Sequence, residues 1–425
     1  MKFYVETLGC WLNKADSELI AQRLEAAGHE RVGDPSQADL VVLNTCAVRQ
    51  EAEESAVRFL RRVGGGGDGR GRRIVASGCL VRVRPDRLRK AAPGVELVDL
   101  RSVEEFERAI AGNPPAGERP MKALPEFLGA RGHVHVVPIQ VGCMGNCAFC
   151  ATKLARGGGG WVRSYELRDV VENVRRAVQR GAREIYLTGQ ETSAYGRDKG
   201  YDLVDLLEAI LKIEGRFFVR MGMMEPLELS GLLDRLIDVA RSDWRVYRFF
   251  HVPVQSGSDR VLRIMKRKYD ASLFREEVLK IRNAFPDSTV ATDIIVGHPG
   301  EGEEDFQESL KLIGELGIDK VHVARFSPRP GTEAAAMKQV PDPVKKARSK
   351  LMSEEALKVS LARNLKFVGG TFNGVVSQPG YRGRGFMVRI GNYRPVIVEK
   401  ATPSAFVTVS VDGATPIHLT GRVVE

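Results

Sequence analysis

The sequence predicts an α/β protein in three parts: a doubly wound parallel sheet, a partial (βα)6 barrel, and a small β-barrel at the C-terminal end. Three observations predict it. Short apolar runs alternate with helical stretches over the first hundred residues. The alternation resumes after residue 133 and runs for about 200 residues more, and the last segments are short, β-type and separated by glycine turns. At 425 residues the chain exceeds one compact core, so several domains are expected.

The N-terminal part reads as four strands, Lys2–Leu8, Leu40–Asn44, Arg73–Ser77 and Val95–Leu100. The helices between and after them are Asp16–Gly28, Arg49–Val63, Arg87–Ala91 and Val103–Ala111. Asp16 or Ser17 would cap the first helix and Gly28 would stop it. Gly64–Gly69 reads as a flexible loop, and the prolines of Asn113–Gly132 mark a linker.

The barrel strands are placed at His133–Val141, Glu184–Thr188, Phe217–Met221, Tyr247–Val254, Thr289–Val296 and Lys320–Phe326. Amphipathic helices such as Leu167–Arg180, Leu203–Ile213, Leu229–Arg241, Leu273–Ala284 and Phe306–Leu316 lie between them. A basic helical stretch, Pro343–Phe367, leads to the small barrel. The resulting division is 1–112, linker 113–132, barrel 133–342, connector 343–362 and tail 363–425.

Lys and Arg number 64 against 54 Asp and Glu, a net charge of +10 that favours a polyanionic partner without requiring one. In the tail, eight Lys/Arg against three Asp/Glu give +5, and Tyr381, Phe386 and Tyr393 interleave with Arg382, Arg384, Arg389 and Arg394. Charge and aromatics on a small β-barrel suit RNA; a solvated basic surface is the plainer alternative. The first residues, Met1–Thr7, lack the apolar core of a signal peptide, and no apolar run approaches the length of a bilayer span. A cytoplasmic enzyme with no membrane contact is the expectation.

Six cysteines are too few for a disulfide scaffold, so they read as metal or redox ligands. Cys10, Cys46 and Cys79 each fall just past the end of one of the first three strands, the edge where open α/β sheets bind ligands. Cysteine is also a common small core residue; three coincident strand ends argue for a shared ligand. Cys143, Cys147 and Cys150 form a C-x3-C-x2-C loop directly after the first barrel strand. Three thiolates on one tight loop hold three corners of a 4Fe–4S cube and leave one iron open. Zinc fits less well, because no local His completes the set.

With that loop in place, the chain resembles the radical S-adenosylmethionine superfamily. Thr7–Glu18, Asn44–Arg49 and Ser77–Leu80 resemble the N-terminal domain of its methylthiotransferases. So do Leu187–Gln190, His251–Ser258, Thr292–Glu301 and Phe326–Thr332 in the barrel, and the tail resembles the TRAM domain of that family. The resemblance spans nearly the whole chain.

It implies S-adenosylmethionine as cofactor and two 4Fe–4S clusters, a radical-generating one on Cys143, Cys147 and Cys150 and a sulfur-carrying one on Cys10, Cys46 and Cys79. An external electron donor of unknown identity is implied as well. Gln190, Glu191 and Gln255, at predicted strand ends, are candidates for contacting S-adenosylmethionine or substrate, against a reading as ordinary loop residues. Tyr381, Arg382, Arg384, Phe386 and Arg389 are the candidate RNA contacts. His251 and His298 receive no role.

One departure stands out: Gly157–Gly160 looks like a glycine insertion at a substrate-facing position. Cys10–Asn13, Ala151–Gly157 and Arg163–Tyr165 are most similar to the archaeal and eukaryotic branch acting on threonylcarbamoyl-adenosine in tRNA. Isopentenyl-adenosine in tRNA, an aspartate of a small-subunit ribosomal protein, and a non-catalytic iron–sulfur RNA-binding protein are the alternatives.

Overall fold

The structure is a computed structural model that describes residues 1–48, 50–64, 72–99, 133–380 and 385–424. The expected helix Val103–Ala111, the linker 113–132 and most of the Gly64–Gly69 loop lie outside them.

The N-terminal sheet has five parallel strands: β1 (Lys2–Thr7), β2 (Glu30–Arg31), β3 (Leu40–Thr45), β4 (Arg73–Gly78) and β5 (Glu96–Val98). Their order is β2-β1-β3-β4-β5. The direction of winding therefore reverses between β1 and β3, which opens a crevice at their C-terminal ends. β3 is buried throughout, as a strand covered on both faces must be. β2 is a two-residue edge strand that shows no periodicity in sequence.

The first barrel strand is two strands, β6 (Val134–Pro138) and β7 (Gln140–Cys143), and β7 pairs antiparallel with β8 (Trp161–Ser164). The remaining barrel strands are β9 (Glu184–Thr188), β10 (Phe218–Arg220), β11 (Phe249–His251), β12 (Thr289–Val296) and β13 (Lys320–Arg325). They form two parallel sheets, β10-β9-β6 and β11-β12-β13, joined by single bridges Val219–Val246 and Met223–His251. Six parallel strands thus make an open barrel. Helices pack outside it on one large apolar core.

A 24-residue helix, Asp342–Leu365, leads to β14 (Thr371–Pro379), β15 (Phe386–Ile390), β16 (Pro395–Val398), β17 (Phe406–Ala414) and β18 (Leu419–Val423), which close into a barrel. That barrel is docked. Buried Asp319, just before β13, accepts from Arg282, Arg363 and Arg394, so one carboxylate ties the central barrel, the long helix and the tail together. A shared apolar cluster joins all three parts, with Trp11 and Ala15 from the first, Tyr186, Phe218 and Phe249 from the second, and Val375, Tyr393 and Phe406 from the third.

Candidate functional site

The three N-terminal cysteines meet at the crevice edge. Cys10 occupies the cap position of helix Trp11–Ala26, Cys46 follows β3 directly, and Cys79 opens helix Cys79–Val83 after β4. Buried polar side chains tie the three loops together. Asn13 Nδ2 donates to Asn44 Oδ1 (2.9 Å) and to the Thr45 carbonyl (3.1 Å), while Thr45 Oγ1 donates to the Ser77 carbonyl (2.5 Å). Gly78, at φ 89°, lies so close to the β3 end that a Cβ would sit 2.4 Å from the Thr45 carbonyl oxygen. Only glycine fits there.

The second set lies at the barrel mouth. Cys143 ends β7, and Cys147 and Cys150 follow on the loop. The glycine run folds back onto this loop: Gly159 N and Gly160 N both donate to the Cys143 carbonyl at 3.1 Å. Gly157, Gly158, Gly159 and Gly160 all have positive φ, and a Cβ on Gly158 would lie 2.9 Å from Cys143 N. The run is a backbone wrap around Cys143.

The donors around the sulfurs suit an electron-rich ligand set. Gly145 N donates to Cys143 Sγ (3.3 Å) and Arg267 Nη1 to Cys147 Sγ (3.3 Å). Burial pushes the Cys143 thiol up to about 12 and raises Cys147 as well, with Arg267 opposing the shift at Cys147. A cavity of about 470 Å³ beside the loop is lined by Cys147, Glu191, Glu225 and Arg267.

The two sets are connected. Helix Thr152–Arg156, which continues from Cys150, ends on Arg156, whose Nε donates to Cys79 Sγ (3.1 Å) and whose Nη2 meets Asp16 Oδ2 (2.7 Å). Burial alone would lower the Arg156 pKa; Asp16, Cys79 and Cys10 outweigh it and raise it. Arg329 adds a second strut, pairing with buried Glu53 and donating to the Val48 carbonyl (3.3 Å).

The other expected site residues separate. Glu191 lines the cavity, its carboxylate accepting from Ser193 N (2.5 Å) and Ala194 N (2.9 Å), and burial pushes it up to about 7. Gln190 is a clamp, accepting from Gly142 N (2.9 Å) and donating to the Gly157 carbonyl (2.8 Å). Gln255 is buried at φ 71°, a left-handed conformation costly for a non-glycine residue.

In the tail, Tyr381, Arg382 and Arg384 lie outside the described residues. The structure describes the other two expected RNA contacts, Phe386 and Arg389, and both are half-buried. Phe386 packs against the core of its own small barrel. Arg389 stacks on Tyr393 (4.4 Å), donates to its carbonyl (3.1 Å) and is close enough to Tyr186 and Glu184 of the central barrel to feel their charge, contacts that hold its guanidinium within the protein.

Sequence reasoning missed Arg156, Arg220, Glu225 and Arg267. The period-two inward pattern of β10 marks Arg220, and Glu225 before Pro226 reads locally only as a helix cap, accepting from Glu228 N (3.2 Å). Nothing local marks Arg156 or Arg267, whose sulfur partners Cys79 and Cys147 lie far along the chain.

Among known proteins, the Radical SAM superfamily model matches residues 137–313 and the model of Uncharacterized protein family UPF0004 matches residues 2–99. A "Probable threonylcarbamoyladenosine tRNA methylthiotransferase" of Pyrococcus abyssi is 38% identical over 435 residues, covering 100% of both chains. A "tRNA-2-methylthio-N(6)-dimethylallyladenosine synthase" of Chloroflexus aurantiacus is 37% identical over 402 residues, covering 90% of this chain and 84% of that one. Among solved structures, the radical S-adenosylmethionine methyltransferase TsrM of Kitasatospora setae shares the fold, with a TM-score of 0.54 at 14% identity over 79% of this chain and 76% of that one.

Proposed function

The chain belongs to the radical S-adenosylmethionine methylthiotransferase family, and we propose that it converts N6-threonylcarbamoyladenosine in tRNA to its 2-methylthio derivative. The observation that carries the chemistry is the pairing of two three-cysteine sets, each lacking a fourth thiol, with Arg156 reaching from one to the other. The choice of substrate is supported by full-length relatives named for threonylcarbamoyladenosine. In this reading Cys143, Cys147 and Cys150 hold one 4Fe–4S cluster and Cys10, Cys46 and Cys79 a second. When bound, the clusters and S-adenosylmethionine supply the radical that removes hydrogen and the sulfur and methyl group that replace it.

The chain's own residues do the rest. Gly145 N–H, Arg267 and Arg156 donate to sulfurs and favour their anionic state. Glu191 and Glu225 line the cavity with Arg267, a set matched to the ammonium and carboxylate of an amino acid moiety such as that of S-adenosylmethionine. The Gly157–Gly160 wrap covers one side of Cys143 and fixes the backbone of its loop. Arg382, Arg384 and Tyr381 remain the proposed RNA contacts on a tail read as a TRAM domain. No helix among the described residues is long and apolar enough to cross a membrane. A cytoplasmic location fits a tRNA substrate.

Anaerobically reconstituted, reduced protein incubated with S-adenosylmethionine and threonylcarbamoyl-adenosine tRNA should yield the 2-methylthio nucleoside by mass spectrometry. Product only from isopentenyl-adenosine tRNA, or only on a ribosomal protein, would refute the substrate assignment.

A further inference from the structure

The inner face of the central barrel carries a layer of charge that neither cysteine set uses. Alternate strand residues share a face. Tyr186, Phe218, Phe249 and Ala291 point inward, where they meet Trp11 and Tyr393 and form an aromatic floor. Two residues further along their strands, toward the cysteine loop, stand Arg220, His251 and Asp293, with His322 directly across from Asp293. His251 Nε2 lies 2.8 Å from Asp293 Oδ2, and ligand-type atoms of His251, Asp293 and His322 all fall within 4.8 Å of one another.

Arg220 is the informative member. It is 8% exposed, and its Nε has no hydrogen-bond partner. Its guanidinium rests on the rings of Phe249 (4.8 Å), Tyr393 (5.2 Å) and Tyr186 (5.5 Å). Among the described residues no carboxylate lies within ion-pair distance of it, and Asp293 is held by His251. Aromatic faces offset only part of what a buried cation loses on leaving water. Such a guanidinium is matched when an anion arrives. A metal ion on His251, Asp293 and His322 would instead add positive charge beside one already unmatched. Phe249 underlies both groups, since its ring also meets that of His251 (6.4 Å).

We propose that Arg220, with His251 beside it, forms the subsite for a carboxylate on the substrate's base, namely the threonyl carboxylate of the N6-threonylcarbamoyl arm. This rests on the substrate proposed above. On this proposal the base reacts at the mouth, near Cys147, and its arm points down the barrel axis toward the Arg220 layer, above the aromatic floor. Asp293 takes His251 Nε2, which leaves Nδ1 as a second contact beside the guanidinium. An isopentenyl arm carries no charge and would leave Arg220 unmatched, so the same residue would select between the two adenosines.

The test is a cycle with the loaded full-length protein and two synthetic anticodon stem-loops. One carries threonylcarbamoyl-adenosine, the other its neutral primary amide, and methylthio product is followed by mass spectrometry. Neutralising the carboxylate should cost the parent about 10- to 100-fold in kcat/KM, mostly through KM, the range for losing a charge-assisted pair. Arg220→Met should cost as much on the acid and far less on the amide, while Arg220→Lys should recover part of the loss on the acid alone. Iron content and the thermal midpoint report whether each variant is folded. Equal losses on both stem-loops, or a parent indifferent to the amide, would overturn the subsite with the substrate assignment intact. A parent that turns over an isopentenyl stem-loop and neither of these would overturn both.

Discussion

Arg156→Met tests the coupling between the two cysteine sets. The change removes the guanidinium from Asp16, whose side chain is 0% exposed, and removes the donor from Cys79 Sγ. Taking one partner from a buried ion pair costs about 3–5 kcal/mol, chiefly because the other charge stays buried. Urea unfolding of the metal-free chain, followed by circular dichroism, should show a loss in that range. Adding Asp16→Asn should recover most of it, because the buried charge is then gone, yet the donor to Cys79 remains missing. Reconstituted protein should therefore bind less iron in both the single and the double variant, with the deficit on the Cys10, Cys46 and Cys79 side. A single variant within about 1 kcal/mol of the parent, or a double variant no more stable than the single, would refute the argument.

Three further expectations follow from separate features. Glu277 is 3% exposed and neither carboxylate oxygen has a partner; burial, then nearby Glu225, push it from 4.5 up to about 9. The folded state holds that proton where the unfolded state does not, so stability should fall by about 1.4 kcal/mol per unit as pH rises through this window. Glu277→Gln should flatten that slope and add about 3 kcal/mol at pH 7, and equal slopes in urea unfolding at several pH values would exclude it. Gly158→Ala forces a side chain onto φ 117° and against Cys143 N, so iron per chain should drop by about half, from the barrel loop. Replacing Arg382 and Arg384 should each reduce the log–log salt slope of tRNA binding by about 0.7–0.9, whereas Arg389→Ala should change stability and leave the slope alone.

Much of this arrangement was legible in the chain. The apolar runs ending at Thr7, Thr45 and Gly78 put three cysteines on one sheet edge, because buried parallel strands announce themselves by composition. The C-x3-C-x2-C loop is local and needs no fold to be read. What escaped was set by tertiary context. Arg156 and Cys79 are 77 residues apart, and no periodicity links them. Gly157–Gly160 resembled an insertion because composition does not reveal that four consecutive positive φ values return the backbone to Cys143. Arg389 lies on the outer face of β15, since Val388 and Ile390 point into the small barrel. That face reads as solvent until the central barrel is seen to cover it. β2, two residues long, gave no pattern to find.

The most direct test of the division between the cysteine sets is a variant with Cys10, Cys46 and Cys79 all replaced by Ala. Reconstituted parent should carry about eight irons and this variant about four. When reduced, the variant should still cleave S-adenosylmethionine to 5′-deoxyadenosine and should form no methylthio nucleoside on tRNA. Methylthio product from that variant, or loss of cleavage in a folded one that keeps four irons, would contradict the account.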